Sequence, residues 1–254
     1  MDQASPRFEP SIGALSAALL HAQESNPLEA CGVIADGDYY PLINKATDHD
    51  TFVMDERGYI EVASEHTVEA ICHSHVYQPP VASDGDRAMC EKLGLPWLIM
   101  SWPTGKYSVI RPSGFRAPLV GRQWAWGTHD CFGLIKDGFE DYAGIRLPDF
   151  QRDWMWWNSG QNLIAEQYEQ AGFVRLPQDG IPQHCDLIGM QINAPVVNHL
   201  GLFLHPDVIL HQMMGRLSVR ETYGGMYAHC TVLHLRHKNF MQAPPPVRQD
   251  EGGP

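Results

Sequence analysis

The amino-acid sequence predicts a mixed α/β domain followed by an α+β domain with an antiparallel sheet. Residues 111–121, RPSGFRAPLVG, combine two prolines, two glycines and two arginines, which is typical of an extended boundary between domains. Short apolar strands alternate with helices before this stretch, whereas helices precede a run of strands after it. We therefore expect a first domain over 1–112, a linker over 113–121, a second domain over 122–240 and a Pro/Gly-rich tail over 241–254.

The first domain opens with a predicted helix over 11–23, where apolar residues recur at helical spacing and Ser11 is the expected N-cap. Two short strands follow, on either side of the polar turn DGD at 36–38. The predicted strands are 30–35, 39–44, 68–75, 96–100 and 107–110, and the further helices are 55–66 and one that starts at Ser83. This order of elements favours a mixed sheet covered by helices.

The second domain begins with two predicted helices, CFGLIKDGFEDYAG at 131–144 and NSGQNLIAEQYEQAG at 158–172. Short apolar strands come next, at 186–191, 199–204, 208–212 and 230–236. Helices that precede a run of closely spaced strands predict an antiparallel sheet with the helices segregated from it.

Composition excludes several classes of protein. The chain has 254 residues, 44% of them hydrophobic, and a formal net charge of −12 without a basic block or arginine stripe. Nucleic acid and polybasic membrane contacts are therefore not expected as partners. Six cysteines are scattered without CxxC pairs, at Cys31, Cys72, Cys90, Cys131, Cys185 and Cys230. With no secretory signal peptide and no apolar run of membrane-spanning length, we expect synthesis in a reducing cytoplasm and no membrane insertion.

A metal-binding pattern stands out in the first domain. His73 and His75, at i and i+2 on a predicted strand, point to the same face, and Asp86 in the first turn of the next helix would add a third ligand. Three N/O ligands and one open position are typical of catalytic zinc. Ser83 would either cap that helix or hold an oxyanion. Glu29, in PLEACG, is the candidate general base.

Each of these residues alone is also typical of an ordinary surface or packing position. Together, Glu29 and the run His73-x-His75-x7-Ser83-x2-Asp86 resemble the JAMM motif of the MPN/JAMM metalloprotease family. The resemblance covers nearly all of the first domain and implies an MPN/JAMM-type mixed-sheet fold whose members cut peptide or isopeptide bonds. It implies Zn²⁺ as cofactor, bound by the two histidines and the aspartate, with the glutamate activating water and the serine supporting the transition state. A fold of this kind without catalysis is the alternative.

A nucleophile pattern stands out in the second domain. Cys131 opens a predicted helix directly after a WGTHD turn, where the helix dipole and free backbone N–H groups favour a thiolate. His199 and His211 lie twelve residues apart on consecutive strands and would meet on one sheet face. A Cys131–His199–His211 triad is therefore the candidate site. The other five cysteines are interpreted as small core residues.

These residues resemble the papain-like NlpC/P60 cysteine peptidases. The family's pattern is a D-C-x-G-[FL] helix start, a G-D-L strand, an H-x-G strand and a third polar residue about a dozen positions on. The corresponding residues are Asp130-Cys131-Phe132-Gly133-Leu134, Cys185-Asp186-Leu187, His199-Leu200-Gly201 and His211. Two positions depart from the family: Phe132 stands where many members have Ser, and Trp124 where many have a Tyr that stabilises the oxyanion. An indole N–H can still donate there.

The combination of the two halves resembles the tail assembly protein K family of lambda-like phages. That resemblance implies a cysteine endopeptidase that cuts peptidoglycan stem peptides at the D-glutamyl–diaminopimelate bond, with a zinc peptidase of unknown substrate. It implies other tail-tip proteins as partners. The expected locations are the host cytoplasm during assembly, the virion tail tip, and the periplasm on infection.

Two alternatives stay open at the level of sequence. A structural tail-tip adaptor would use both peptidase folds for docking with one or both sites inactive. A host-side deubiquitinase-like enzyme would explain the first domain only. The aromatic cluster Trp154-Met155-Trp156-Trp157 is interpreted as core packing or a lid over the thiol cleft, with a protein contact as the alternative.

Overall fold

The computed structural model of the chain describes residues 8–47, 49, 51–153 and 155–247. The chain divides into two compact units after Arg116. Each unit is built on one β-sheet, mixed in the first and antiparallel in the second, so the predicted α/β plus α+β fold class is confirmed. Within the described residues, none of the helices has both the length and the apolar character that a membrane span requires.

In the part of the first unit that the structure describes there are a five-stranded sheet and three helices. Its strands are β1 (Cys31–Ala35), β2 (Asp38–Leu42), β3 (Val68–Val76), β4 (Trp97–Trp102) and β5 (Tyr107–Ile110), and its helices are α1 (Ile12–Ser25), α2 (Glu56–Glu65) and α3 (Asp84–Leu93). The sheet order is β2-β1-β3-β4-β5, and only the β3–β4 pair is parallel. Each of these elements lies within two residues of its predicted bounds.

The two faces of this sheet are covered by different helices. The buried face of α1 packs on side chains that include Ile34 and Cys72, whereas Cys90 of α3 packs on the opposite face beside Ile71. Because successive strand residues point to opposite faces, the positions two and four residues after Ile71 also face α3. Those positions are occupied by histidines, which places the imidazoles against the start of α3.

The described residues of the second unit form a six-stranded sheet in which every pair is antiparallel. Its strands are β6 (Phe173–Arg175), β7 (Leu187–Met190), β8 (His199–Leu204), β9 (Val208–His211), β10 (Val219–Thr222) and β11 (Thr231–His237), and its helices are α4 (Cys131–Ala143), α5 (Leu163–Gln167) and α6 (Gly225–Cys230). The sheet order is β10-β9-β8-β7-β11-β6. Helix α4 packs across β8 and β9, with Leu134 and Phe139 fully buried, so its first turn lies beside the start of β8.

One sequence prediction for this unit was wrong, and three short elements were not predicted. The helix predicted over 158–172 is reduced to the five residues of α5, because Gly160 adopts a φ of +81° and ends a short 3-10 helix over Trp156–Ser159. Strands β6 and β10 and helix α6 had no predicted counterpart. All three are short, and β10 reads Val-Arg-Glu-Thr, which lacks an alternating apolar pattern.

Candidate active sites

The three predicted metal ligands of the first unit lie together. His73 Nε2 is 3.2 Å from His75 Nε2 and 3.4 Å from Asp86 Oδ1, and His75 Nε2 is 3.8 Å from Asp86 Oδ2. Ligands about 2.0–2.1 Å from one tetrahedral zinc ion stand about 3.3 Å apart. One ligand atom from each residue lies within 4.8 Å of the others, which is compatible with a single bound Zn²⁺.

The hydrogen bonds around the histidines favour the protonation state that a metal ligand needs. His75 Nδ1 lies 2.9 Å from the carbonyl oxygen of Pro79, which can only accept, so Nδ1 carries the proton and the Nε2 lone pair faces the cluster. His73 is buried, and burial lowers its pKa to about 4 although the charge of Asp86 opposes the shift. Its imidazole is therefore neutral at pH 7. The ring of Phe52 stacks on His73 with centroids 4.6 Å apart.

Ser83 and Asp86 form a capping box at the start of α3. The Ser83 backbone N–H and hydroxyl both donate to Asp86 Oδ2, at 2.7 and 2.8 Å, and the Ser83 oxygen accepts from the Asp86 backbone N–H at 3.1 Å. Of the two roles considered for Ser83, helix capping is confirmed. Because its hydroxyl also fixes the carboxylate, Ser83 orients a metal ligand, while the oxyanion role stays a prediction.

Glu29 lies two residues before β1 and is buried, with 6% of its surface exposed. In the antiparallel β1–β3 pair Cys31 stands opposite His73. Extending that register by two residues places Glu29 opposite His75, and opposed residues in an antiparallel pair project from the same face. The fold thus brings the candidate base to the sheet face that carries the histidines.

Cys131 is the first residue of α4, in the position that the sequence predicts. Asp130 is the N-cap, with its Oδ1 accepting from the Gly133 backbone N–H at 2.8 Å. A Cβ atom at Gly133 would overlap the carbonyl oxygen of Thr128, so only glycine allows this close approach. The motif D-C-x-G is therefore a helix start that fixes the position of the sulfur.

The favourable effect of the helix terminus on a Cys131 thiolate is outweighed by other effects in the folded domain. Burial raises the pKa of Cys131 to about 12, and the negative charge of Asp130 adds to the shift. The backbone N–H of Leu200 and the Arg152 guanidinium lower this pKa by less. At pH 7 Cys131 is therefore a neutral thiol, and a base must remove its proton.

The two predicted histidines form a hydrogen-bonded pair. His199 Nε2 lies 3.0 Å from His211 Nδ1, with the rings in a T-shaped arrangement. Gly201 stands opposite His211 across the β8–β9 pair, and a Cβ atom there would overlap the Ile209 side chain. Burial lowers the pKa of His199 to about 3 and also lowers that of His211, so both imidazoles are neutral at pH 7.

Two further residues extend this pair, and nothing in the sequence pattern singled them out. Glu221 Oε2 lies 3.5 Å from His211 Nε2, and the Tyr227 hydroxyl donates to the same oxygen. Glu221 lies on β10 and Tyr227 on α6, two elements too short to be predicted. The available signal is weak: an acidic residue on a four-residue segment ten positions after His211.

Cys131 and His199 line the same cavity. Trp124, the predicted oxyanion donor, lines it too, as do Trp156 and Trp157 of the aromatic cluster. The interpretation of that cluster as core or lid is supported for these two residues, while Trp154 lies outside the described residues. The remaining lining side chains are mostly apolar or aromatic, among them Trp126, Phe132, Phe150, Leu163, Ile164, Tyr168, Phe173, Leu187, Met214 and Leu235.

The charged side chains in the described lining of the cavity are Asp130 and Arg152. They form a buried ion pair, with Arg152 Nη2 2.9 Å from Asp130 Oδ2. The guanidinium also lies over the Phe132 ring, 4.9 Å from its centroid. The phenylalanine that departs from the family pattern is therefore part of the cavity wall, where it packs on the arginine that neutralises the helix cap.

The Cys185-Asp186-Leu187 segment stabilises the antiparallel sheet of the second unit. Asp186 is 1% exposed and binds Arg236 and His234 of β11, both at 2.7 Å from its Oδ2. Cys185 adopts a φ of +66°, in the region that favours glycine, which accounts for the family's preference for Gly at that position.

Comparisons with known protein families give one match in each half of the chain. The NlpC/P60 family matches residues 121–236, and the prokaryotic homologs of the JAB domain match residues 12–111. The first match indicates a peptidase-type hydrolase fold, and the second a metallopeptidase-like fold.

Two similar solved structures each cover less than half of this chain. A protein from Desulfitobacterium hafniense is 26% identical and covers 39% of this chain and 78% of its own, with a TM-score of 0.32. A JAB1/MPN domain protein from Archaeoglobus fulgidus is 15% identical and covers 45% of this chain and 95% of its own, with a TM-score of 0.29.

Curated relatives match over most of their length. The tail tip assembly protein K of Escherichia phage N15 is 35% identical over 234 residues, which are 89% of this chain and 94% of the relative. The protein of the same name from Escherichia phage lambda is 28% identical over 186 residues, 73% of this chain and 89% of the relative. The chain therefore belongs to the tail tip assembly protein K family.

Proposed function

We propose that this protein acts in phage tail tip assembly and that its second domain is a cysteine endopeptidase of peptidoglycan stem peptides. The observation that carries the enzymatic part is the hydrogen bond between His211 and His199, the histidine that lines the same cavity as Cys131. The names of the relatives support the role in the tail. Likeness to the NlpC/P60 family supports a stem-peptide substrate and the D-glutamyl–diaminopimelate bond as the point of cleavage.

In the proposed reaction the Cys131 sulfur attacks the scissile carbonyl while the His199 imidazole takes the thiol proton. The carbonyl oxygen becomes an oxyanion, for which the backbone N–H groups at the start of α4 and the Trp124 indole are the candidate donors. Collapse of the tetrahedral intermediate releases an amine, which receives the proton from His199, and leaves a thioester on the enzyme. Water then attacks the thioester, again with His199 as the base, and restores the thiol.

The resting pair differs from a preformed thiolate–imidazolium. Burial raises the pKa of Cys131 to about 12 and lowers that of His199 to about 3, so both groups are neutral before substrate arrives. Proton transfer then accompanies the attack on the carbonyl. A neutral resting thiol would also limit side reactions in the cytoplasm where the protein is made.

In the first domain we propose that His73, His75 and Asp86 hold Zn²⁺, on the strength of the donor spacing and the fixed tautomer of His75. A bound zinc ion supplies Lewis-acid chemistry, which polarises carbonyl groups and lowers the pKa of water. Glu29 would take the proton from the attacking water, and Ser83 would keep the aspartate oriented and support the transition state. The reaction is hydrolysis of a peptide or isopeptide bond.

The test is mass spectrometry of Gram-negative peptidoglycan after incubation with the wild type and with the Cys131→Ala and His73→Ala variants. New stem-peptide fragments that disappear only with Cys131→Ala would support the proposed enzyme and assign wall cleavage to the second domain. Absence of fragments with every folded variant would favour a structural adaptor with two inherited peptidase folds. Detection of the chain in purified virions would support its retention at the tail tip among other tail proteins and its delivery to the periplasm.

A further inference from the structure

We propose that Glu221, held by Tyr227, is a positioning residue that decides which nitrogen of His199 carries a proton. This inference rests on the proposed thiol chemistry, because it concerns the group that would act as its base. The relevant atoms form a chain from His199 Nε2 to His211 Nδ1, then from His211 Nε2 to Glu221 Oε2, with separations of 3.0 and 3.5 Å. The Tyr227 hydroxyl donates a hydrogen bond to the same carboxylate oxygen of Glu221.

Glu221, at the end of this series of hydrogen bonds, determines which atom donates and which accepts in each of them. Glu221 is a carboxylate at pH 7, since the hydrogen bond from Tyr227 and the contact with His211 hold its pKa below the ordinary value. A carboxylate can only accept a hydrogen bond, so His211 Nε2 carries the proton. Because burial keeps His211 neutral, its Nδ1 has a lone pair and must accept. His199 Nε2 then donates, and the lone pair of His199 lies on Nδ1.

That lone pair is the one a base for Cys131 would use. The Nε2 side of His199 is committed to His211, so the other ring nitrogen is the one left for the thiol. If His211 carried its proton on Nδ1 instead, His199 Nε2 would have to accept, and its Nδ1 would carry a proton. A neutral imidazole in that tautomer cannot take a proton from a thiol through Nδ1. Glu221 therefore acts on the reaction through two hydrogen bonds without touching the sulfur.

Tyr227 keeps this carboxylate in place. The Glu221 side chain is 44% exposed, so water competes for it, and a free side chain would sample several rotamers. Tyr227 restrains it from two directions, by its hydrogen bond to Oε2 and by the packing of its ring on His211, with centroids 4.7 Å apart. The hydroxyl and the ring of Tyr227 therefore have separable effects.

The test uses the full chain with the substitutions Glu221→Gln, Glu221→Ala and Tyr227→Phe. Long-range ¹H–¹⁵N spectra report the tautomers of His199 and His211, and iodoacetamide alkylation reports the reactivity of Cys131. Both readouts are independent of any peptidoglycan substrate. Glu166→Gln removes the charge of an exposed carboxylate of α5 in the same domain and serves as the matched control.

We expect His199 to hold its proton on Nε2 in the wild type and in Glu166→Gln, and both tautomers to be populated in the two Glu221 variants. Alkylation of Cys131 at pH 7 should fall about tenfold with Glu221→Ala, the usual difference between a charge-assisted and a neutral hydrogen bond. Tyr227→Phe keeps the ring and should give a smaller fall. Unchanged tautomers and alkylation in Glu221→Ala and Glu221→Gln would overturn the inference. A wild type that shows the expected tautomers and reactive thiol but cuts no stem peptide would support the inference and refute the proposed substrate.

Discussion

The ion pair between Arg152 and Asp130 offers a quantitative test of how the thiol site is built. Both side chains are buried, with 9% and 6% of their surface exposed, and Arg152 donates to Asp130 through Nε at 3.0 Å and Nη2 at 2.9 Å. Removing one partner of a buried pair costs about 3–5 kcal/mol, because the other charge stays buried. In Arg152→Leu the carboxylate would keep two backbone donors, from Gly127 and Gly133, so we expect the lower end, about 3 kcal/mol.

That loss corresponds to a fall of about 10–12 °C in the melting midpoint of the second domain, which differential scanning calorimetry measures directly. Asp130→Asn keeps a good N-cap but leaves the buried guanidinium with only the longer ion pair to Asp149, at 3.4 Å. The double variant Arg152→Leu/Asp130→Asn removes both charges and should recover at least about 1.5 kcal/mol of the summed single losses. Arg146→Leu, which breaks the surface ion pair with Glu140, is the matched control and should change the midpoint little. Additive losses in the double variant, or a midpoint for Arg152→Leu equal to that of the control, would refute the view that this pair supports the nucleophile's helix.

Three further outcomes follow from the two sites. Elemental analysis should find about one zinc per chain in the wild type and none after His73→Ala, whereas His66→Ala, at a surface histidine paired with Asp36, should retain it. Ser83→Ala should weaken zinc binding about 10–100-fold in a chelator competition. The control Ser11→Ala removes the equivalent cap of α1 and should lower the stability by about 1 kcal/mol without changing the zinc affinity. Equal zinc affinity in both variants would contradict the orienting role of Ser83. His199 has a folded-state pKa near 3, below its unfolded value of about 6.5, so the unfolded state binds more protons and stability falls as the pH drops through this window. That residue alone should cost about 2 kcal/mol between neutral pH and pH 5, so denaturant titrations of His199→Gln should show a correspondingly flatter pH dependence.

Features that depend on a few adjacent residues were predictable from the sequence. The period of two that joins His73 and His75, and the caps Ser11 and Ser83, are local signals, and the structure confirms them. The prediction of a helix over 158–172 was wrong because of an equally local detail, the left-handed conformation of Gly160, which composition alone does not reveal.

Features that depend on tertiary surroundings were not predictable. Glu221 reaches His211 from an edge strand of four residues, whose position is set by pairing with β9. The pKa of Cys131 is dominated by burial and by the neighbouring Asp130, so the favourable effect of the helix terminus is outweighed. Desolvation depends on the packing of a whole domain, and no motif of five residues records it.

In both candidate sites a functional side chain is positioned by the first turn of a helix. In the capping box of α3 the third residue of the helix is Asp86, whose Oδ2 is held by Ser83 while Oδ1 faces His73. In α4 the cap is Asp130, and the first helical residue is Cys131. An N-cap fixes the backbone of the first turn to within a narrow range, so a side chain in that turn has a defined direction before tertiary packing refines it. Short sequence motifs can therefore specify the ligand and the nucleophile, whereas the groups that tune them come from distant strands.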